Sequence, residues 1–162
     1  MKFEVVDNTC PACGANLPGG LTCEDCFHQM LFWENEESLL GEVHHLMVLC
    51  YHLQHPHLYS QEGLANAAGL LIDFVEHGLD PAEVRSRSRE RVASDKRLWS
   101  VSARPGNRGS YAGRPAWTFT ATDVVAGGPS HYIRNVRFWA RSTLTALKAA
   151  GLPARLESRP GC

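Results

Sequence analysis

Val43-His44-His45-Leu46-Met47-Val48-Leu49-Cys50-Tyr51-His52-Leu53-Gln54-His55-Pro56 is the stretch on which the fold turns. Val43, Leu46, Met47 and Cys50 recur at spacings of three and four, the period of an α-helix with one face against a core. The period extends upstream through Phe27, Met30, Leu31, Leu39 and Leu40, with an interruption expected near Glu34 to Ser38. Pro56 closes the element, because the residue before a proline is pushed out of helical conformation.

Downstream, Ser60 reads as the N-cap of a helix over 61–77 whose stripe of Leu64, Ala67, Ala68, Leu71, Phe74 and Val75 faces a core, with its stop at Gly78. Asp80-Pro81-Ala82-Glu83 supplies a cap, a first-turn proline and a glutamate at N3 for a third helix through about residue 94. Residues 98–129 are rich in glycine and proline and read as loop. Within them one short strand or hairpin is expected around 116–125, where Trp117-Thr118-Phe119-Thr120 concentrates aromatic and β-branched residues. A last helix over 130–150 carries Ile133, Val136, Ala140, Thr143, Leu144 and Leu147 on one side and ends at Gly151.

The fold class is therefore mainly α: a small N-terminal zinc ribbon or knuckle over 10–26, packed on a bundle of about four helices. One compact domain is expected over 1–151, with 27–97 helical, 98–129 loop-rich and 152–162 a tail. A chain of 162 residues, 44% of them hydrophobic, is long enough to bury such a core.

The longest apolar runs, Leu46 to Cys50 and Ala67 to Ile72, fall well short of the roughly 20 residues that cross a bilayer. Met1 to Asn8 lacks the apolar run and small-residue cleavage pattern of a signal peptide. No membrane partner and a cytoplasmic location are expected. In that reducing compartment the six cysteines are not read as disulfides.

Four of them form Cys10-x2-Cys13-x9-Cys23-x2-Cys26, the strongest chemical signal in the chain. Two residues between thiols let one tight turn aim both sulfurs at a metal, and Gly14 tolerates the backbone conformation of such a knuckle. Pro18-Gly19-Gly20 returns the chain between the pairs. Four thiolates close a tetrahedral zinc shell with no open position, which points to structure over catalysis. Cys50, in an apolar run, reads as a small buried hydrophobe, and Cys162 ends an unpatterned tail.

The opening Cys-Pro-x-Cys-Gly, the string Val-His-x-Leu-x-Val-x-x-Tyr-x-x-Gln-His-Pro at 43–56 and the distal Val136-Arg137-Phe138-Trp139-Ala140-Arg141-Ser142 come in that order. Together they resemble a bacterial family known only as a domain of unknown function, number 5946. The resemblance implies that His44, Tyr51, Gln54, His55 and Pro56 share a structural or functional feature, and it implies no reaction. In that family the position of Cys23 is often not cysteine, whereas Cys10, Cys13, Cys26 and His44 match. This implies an alternative shell of three cysteines and one histidine, with His44 as fourth ligand.

The overall charge of −1 hides an asymmetry. Residues 1–80 hold one basic side chain against 12 acidic ones, and residues 81–162 hold 15 basic against five acidic. Arg85, Arg87, Arg89, Arg91, Lys96 and Arg97 cluster on the third helix, and Arg134, Arg137, Arg141 and Lys148 form a stripe along the last. Such arrays can neutralise phosphates, or they can face the acidic half within one fold, which is the favoured reading.

Three functional readings follow. The leading one is a zinc-binding helical binding or adaptor module whose partner is a protein or small molecule. Another is an enzyme, metal-dependent or not, built around Tyr51, Gln54 and His55, with His55 as general base or metal ligand and the other two orienting a substrate. No nucleophile, P-loop or paired-carboxylate motif supports that. The third is nucleic-acid binding through the basic half, and no base-reading motif accompanies it.

Overall fold

A computed structural model gives the fold, and it describes residues 7–86 and 102–152. It is mainly helical, with isolated bridges and no sheet among the described residues. In chain order the helices are α1 (Cys23–Glu36), α2 (His44–Gln54), α3 (Gln61–Glu76), α4 (described over 81–86), α5 (Ala121–Ala126) and α6 (Tyr132–Ala149). Short 3-10 turns at Pro18–Gly20, Ser38–Val43, Pro56–Leu58 and Pro129–His131 join or precede them.

The helix ends fall where the local chemistry puts them. Ser60 Oγ accepts the Gly63 N–H at 2.9 Å and starts α3. Gly78, at φ +62°, takes the left-handed conformation that lets the chain leave it. The expected interruption before His44 is the 3-10 turn Ser38–Val43. The third helix begins at 81 as its cap pattern requires; its course beyond 86, with Arg87, Arg89, Arg91, Lys96 and Arg97, lies outside the described residues.

The strand or hairpin expected around 116–125 is replaced by helix α5. Thr120 is its N-cap, and the Asp123 carboxylate reaches back to accept the Thr120 N–H at 2.8 Å. That local bond outweighs the strand preference of Trp117 to Thr120.

Helix α2 packs against α3 and α6, α3 also touches α6, and α1 lies against α5. Met30, Met47, Leu53, Leu64, Leu71, Trp139 and Leu147 fill the shared core. Gln54, at 1% exposure, donates from Nε2 to the Phe119 carbonyl at 2.8 Å and to Thr143 Oγ1 at 3.4 Å, pinning α2 to the 102–120 segment and to α6. The two electrical halves meet across the fold: Arg137 on α6 pairs with Glu42 at 2.5 Å, and Lys148 pairs with Glu76.

Candidate metal centre

The N-terminal knuckle is built by its own backbone. The Gly14 N–H donates to the Cys10 carbonyl at 2.8 Å and the Cys10 N–H to the Ala15 carbonyl at 2.9 Å. Gly14 takes φ +74°, a conformation costly for any residue with a Cβ. The turn brings Cys10 and Cys13 to one side. A side chain at 14 would also meet the Arg114 guanidinium, 3.4 to 3.5 Å from where its Cβ would stand.

The second cysteine pair is not a second knuckle. Thr22 and Asp25 form a capping box that starts α1 at Cys23, so both cysteines belong to the first turn of a helix. Cys23 Sγ stands 3.6 Å from Cys13 Sγ. Cys26 is buried in the same first turn of α1 and lies outside the group of ligand atoms that come within 4.8 Å of one another.

The fourth group comes from the far end of α2. Pro56 ends that helix, and His55 leaves it at φ −127° and ψ 65°. His55 Nδ1–H donates to the Tyr51 carbonyl at 2.6 Å, which leaves the Nε2 lone pair facing Cys10 Sγ at 3.6 Å. A backbone carbonyl on the remote ring nitrogen is the usual support of a metal-binding imidazole. The Tyr51 ring packs on His55 at 4.4 Å, and Phe27 of α1 stacks on Tyr51 at 4.4 Å.

Cys10, Cys13, Cys23 and His55 thus place their ligand atoms within 4.8 Å of one another, and all four residues are buried. Zinc bound tetrahedrally at about 2.3 Å to sulfur and about 2.0 to 2.1 Å to nitrogen would set sulfurs about 3.8 Å apart and sulfur and nitrogen about 3.6 Å apart. The two separations of 3.6 Å fit that shell. Without a metal, the hydrogen bond from Cys23 lowers the Cys13 thiol, and the same bond, with burial, raises Cys23. Burial also pushes up Cys26.

The convergent set differs from the four cysteines expected from spacing, with His55 in the group and Cys26 outside it. His44, the implied alternative, is at the opposite end of α2, about 16 Å along the axis from His55. Its Nδ1 instead meets Glu34 Oε2 at 2.6 Å.

Tyr51, Gln54 and His55 do not gather around one opening. His55 faces the sulfurs, Tyr51 is sandwiched between rings, and Gln54 points to Phe119 and Thr143. None of them lines the clefts beside α6 or the cleft between Pro11, His57 and Arg114. Spacing gave no sign that His55 would reach the cysteines; the only local signal was the proline that frees it from its helix.

A mainly helical chain with a buried cluster of three cysteines and one histidine, able to hold a metal ion, is the class that fold and site define. The chain belongs to the Family of unknown function (DUF5946), which matches residues 8–148. No curated protein and no solved structure matches it. Among the described residues, no helix is long and apolar enough to cross a membrane.

Proposed function

We propose that the cluster holds one structural zinc ion through Cys10, Cys13, Cys23 and His55, and that the chain is a binding or adaptor module stapled by that ion. The observation that carries this is the meeting of three sulfurs and an imidazole nitrogen within 4.8 Å of one another, with two of the separations at the 3.6 Å that a tetrahedral zinc shell asks for. Four protein ligands fill the shell, leaving no position for water or substrate, so the ion serves the fold. Three thiolates and a neutral imidazole around a divalent ion leave one negative charge in excess. Unpaired, buried thiols suit a reducing compartment, the cytoplasm.

Elemental analysis of wild type beside Cys23→Ser, Cys26→Ser, His44→Ala and His55→Ala tests the assignment. The expected result is about one zinc per chain, retained in Cys26→Ser and His44→Ala and lost in Cys23→Ser and His55→Ala. Loss in Cys26→Ser with retention in His55→Ala would return the site to four cysteines. Cobalt substitution adds a second readout, because ligand-field bands distinguish a shell of three sulfurs and one nitrogen from a shell of four sulfurs.

A further inference from the structure

Helix α6 buries Tyr132, Val136, Trp139, Ala140 and Leu147 and turns Arg134, Phe138, Arg141 and Thr145 outward. These four follow one another at spacings of four, three and four, so they form a single exposed stripe. Two clefts run along it and share Arg141. The one toward the N-terminal end of α6, about 420 Å³, has Leu40 and Ile133 as apolar walls beside Arg134 and Arg137. The other, about 520 Å³, has a floor of Ala116, Ala146 and Ala149, with Phe138 at its side and Arg114 across from the helix.

Neither cleft is lined by a carboxylate. Arg137 is held by Glu42, but Arg114, Arg134 and Arg141 have no acidic partner among the described residues. Phe138 is 49% exposed, and Phe119 fixes it edge-to-face at 5.0 Å. Leu39, beside the Leu40 wall, is 73% exposed. Among the described residues, this helix face thus presents a braced phenyl ring beside guanidiniums that have no acidic partner, a combination suited to a ligand that is both apolar and acidic.

From this we infer that the α6 face is the docking surface for an acidic amphipathic helix of a partner protein, an inference that rests on the adaptor reading and names its partner class. Arg134 and Arg141 are seven residues apart, about 10 Å along the axis, so carboxylates two turns apart on one face of a partner helix would meet both. The alanine floor lets that helix approach closely, and its apolar side chains cover Phe138. Charge complementarity and the alkyl lining favour such a peptide over nucleic acid. A phosphate backbone would gain nothing from the alanines or from Phe138, Leu40 and Ile133.

The test is selection from a displayed library of random helical peptides on the full chain, followed by fluorescence polarisation of the winners on wild type, Arg134→Glu/Arg141→Glu and Phe138→Ala. The expected outcome is enrichment of peptides with acidic and apolar residues at three-and-four spacing. Their affinity should fall at least roughly tenfold in each variant. No enrichment, winners without acidic residues, or binding unchanged in the variants overturns the inference. So does salt-sensitive binding of a labelled duplex or single strand of about 20 bases, as DNA or RNA, that the arginine variant abolishes, since it would make the face a nucleic-acid surface. Zinc content and circular dichroism are measured on each variant, so an empty metal site is recognised separately from a face that binds nothing.

Discussion

His55 Nε2 stands 3.6 Å from Cys10 Sγ, across 45 residues of sequence. An ion bound there joins the knuckle to the turn between α2 and α3, so its binding free energy becomes folding free energy for both. Removing the metal with a chelator should therefore speed amide exchange in two places at once: at Cys10, Gly14 and Leu17, and at Leu58 and Tyr59. Helix α6 should stay protected. Tm should fall by roughly 2–4 °C for each kcal/mol of lost linkage. Faster exchange confined to the knuckle would show that His55 is no ligand.

A single carboxylate ties three helix ends together. Glu34, in the last turn of α1 with a side chain 8% exposed, accepts from Tyr132 Oη at 2.5 Å and faces His44 Nδ1 at 2.6 Å. These are the first residues of α6 and α2. Tyr132 is wholly buried, so Glu34→Leu strands its hydroxyl and should cost about 1–3 kcal/mol. Thermal unfolding would show a drop of several degrees, with zinc content unchanged. An unchanged Tm would mean the three ends are held by packing alone.

His44 gives stability a pH dependence. The hydrogen bond to Glu34 raises its pKa above the free value, against some desolvation, and half of the side chain remains exposed. A histidine with a raised folded pKa contributes fully below the unfolded value and loses its contribution as pH rises through the folded one. His45 beside it is lowered, first by burial, and has the opposite sign. The stability difference between wild type and His44→Ala should therefore be largest below the free histidine value of about 6.5 and fade as pH rises through the raised folded value. Screening at a half-exposed pair keeps it to about 1 kcal/mol or less. Urea titrations at several pH values check this; a flat difference would remove the ionic role.

What was legible in the sequence was local. Ser60 and Gly78 bound α3 because a hydroxyl cap and a left-handed glycine act within a few residues. Cys10, Cys13 and Gly14 form a knuckle for the same reason. The Cys23–Cys26 spacing suits a second knuckle, whereas the Thr22–Asp25 capping box starts a helix at Cys23 and places both cysteines in its first turn. Thr120 and Asp123 hid the same signal at α5. His55 was visible as a candidate, but its meeting with Cys10 depends on how α2 packs, which no local pattern reports. The pairing of acidic and basic halves was foreseen from charge; which arginines lack an acidic partner among the described residues was not.

Gly109 is where the 102–111 segment presses on the turn that carries His55. Its N–H donates to the Tyr59 carbonyl at 2.7 Å, and bridges at Tyr59–Ser102 and Ser60–Arg108 hold the segment that leads into it. A Cβ at 109 would stand 2.7 Å from the Pro56 carbonyl oxygen, 3.2 Å from that of Tyr59 and 3.3 Å from Leu64 Cδ2. Two of those neighbours are backbone and cannot rotate away, so Gly109→Ala must displace either the segment or the Pro56 turn, at about 1–3 kcal/mol. Because Pro56 follows His55, displacement of the turn also weakens the metal site. Gly113→Ala is the control, since a Cβ there meets nothing within 4 Å. The expected result is a Tm lower by roughly 3–10 °C for Gly109→Ala alone, together with faster zinc loss to a chelator. Equal Tm and equal zinc retention in the two variants would show that this contact does not hold His55 in place.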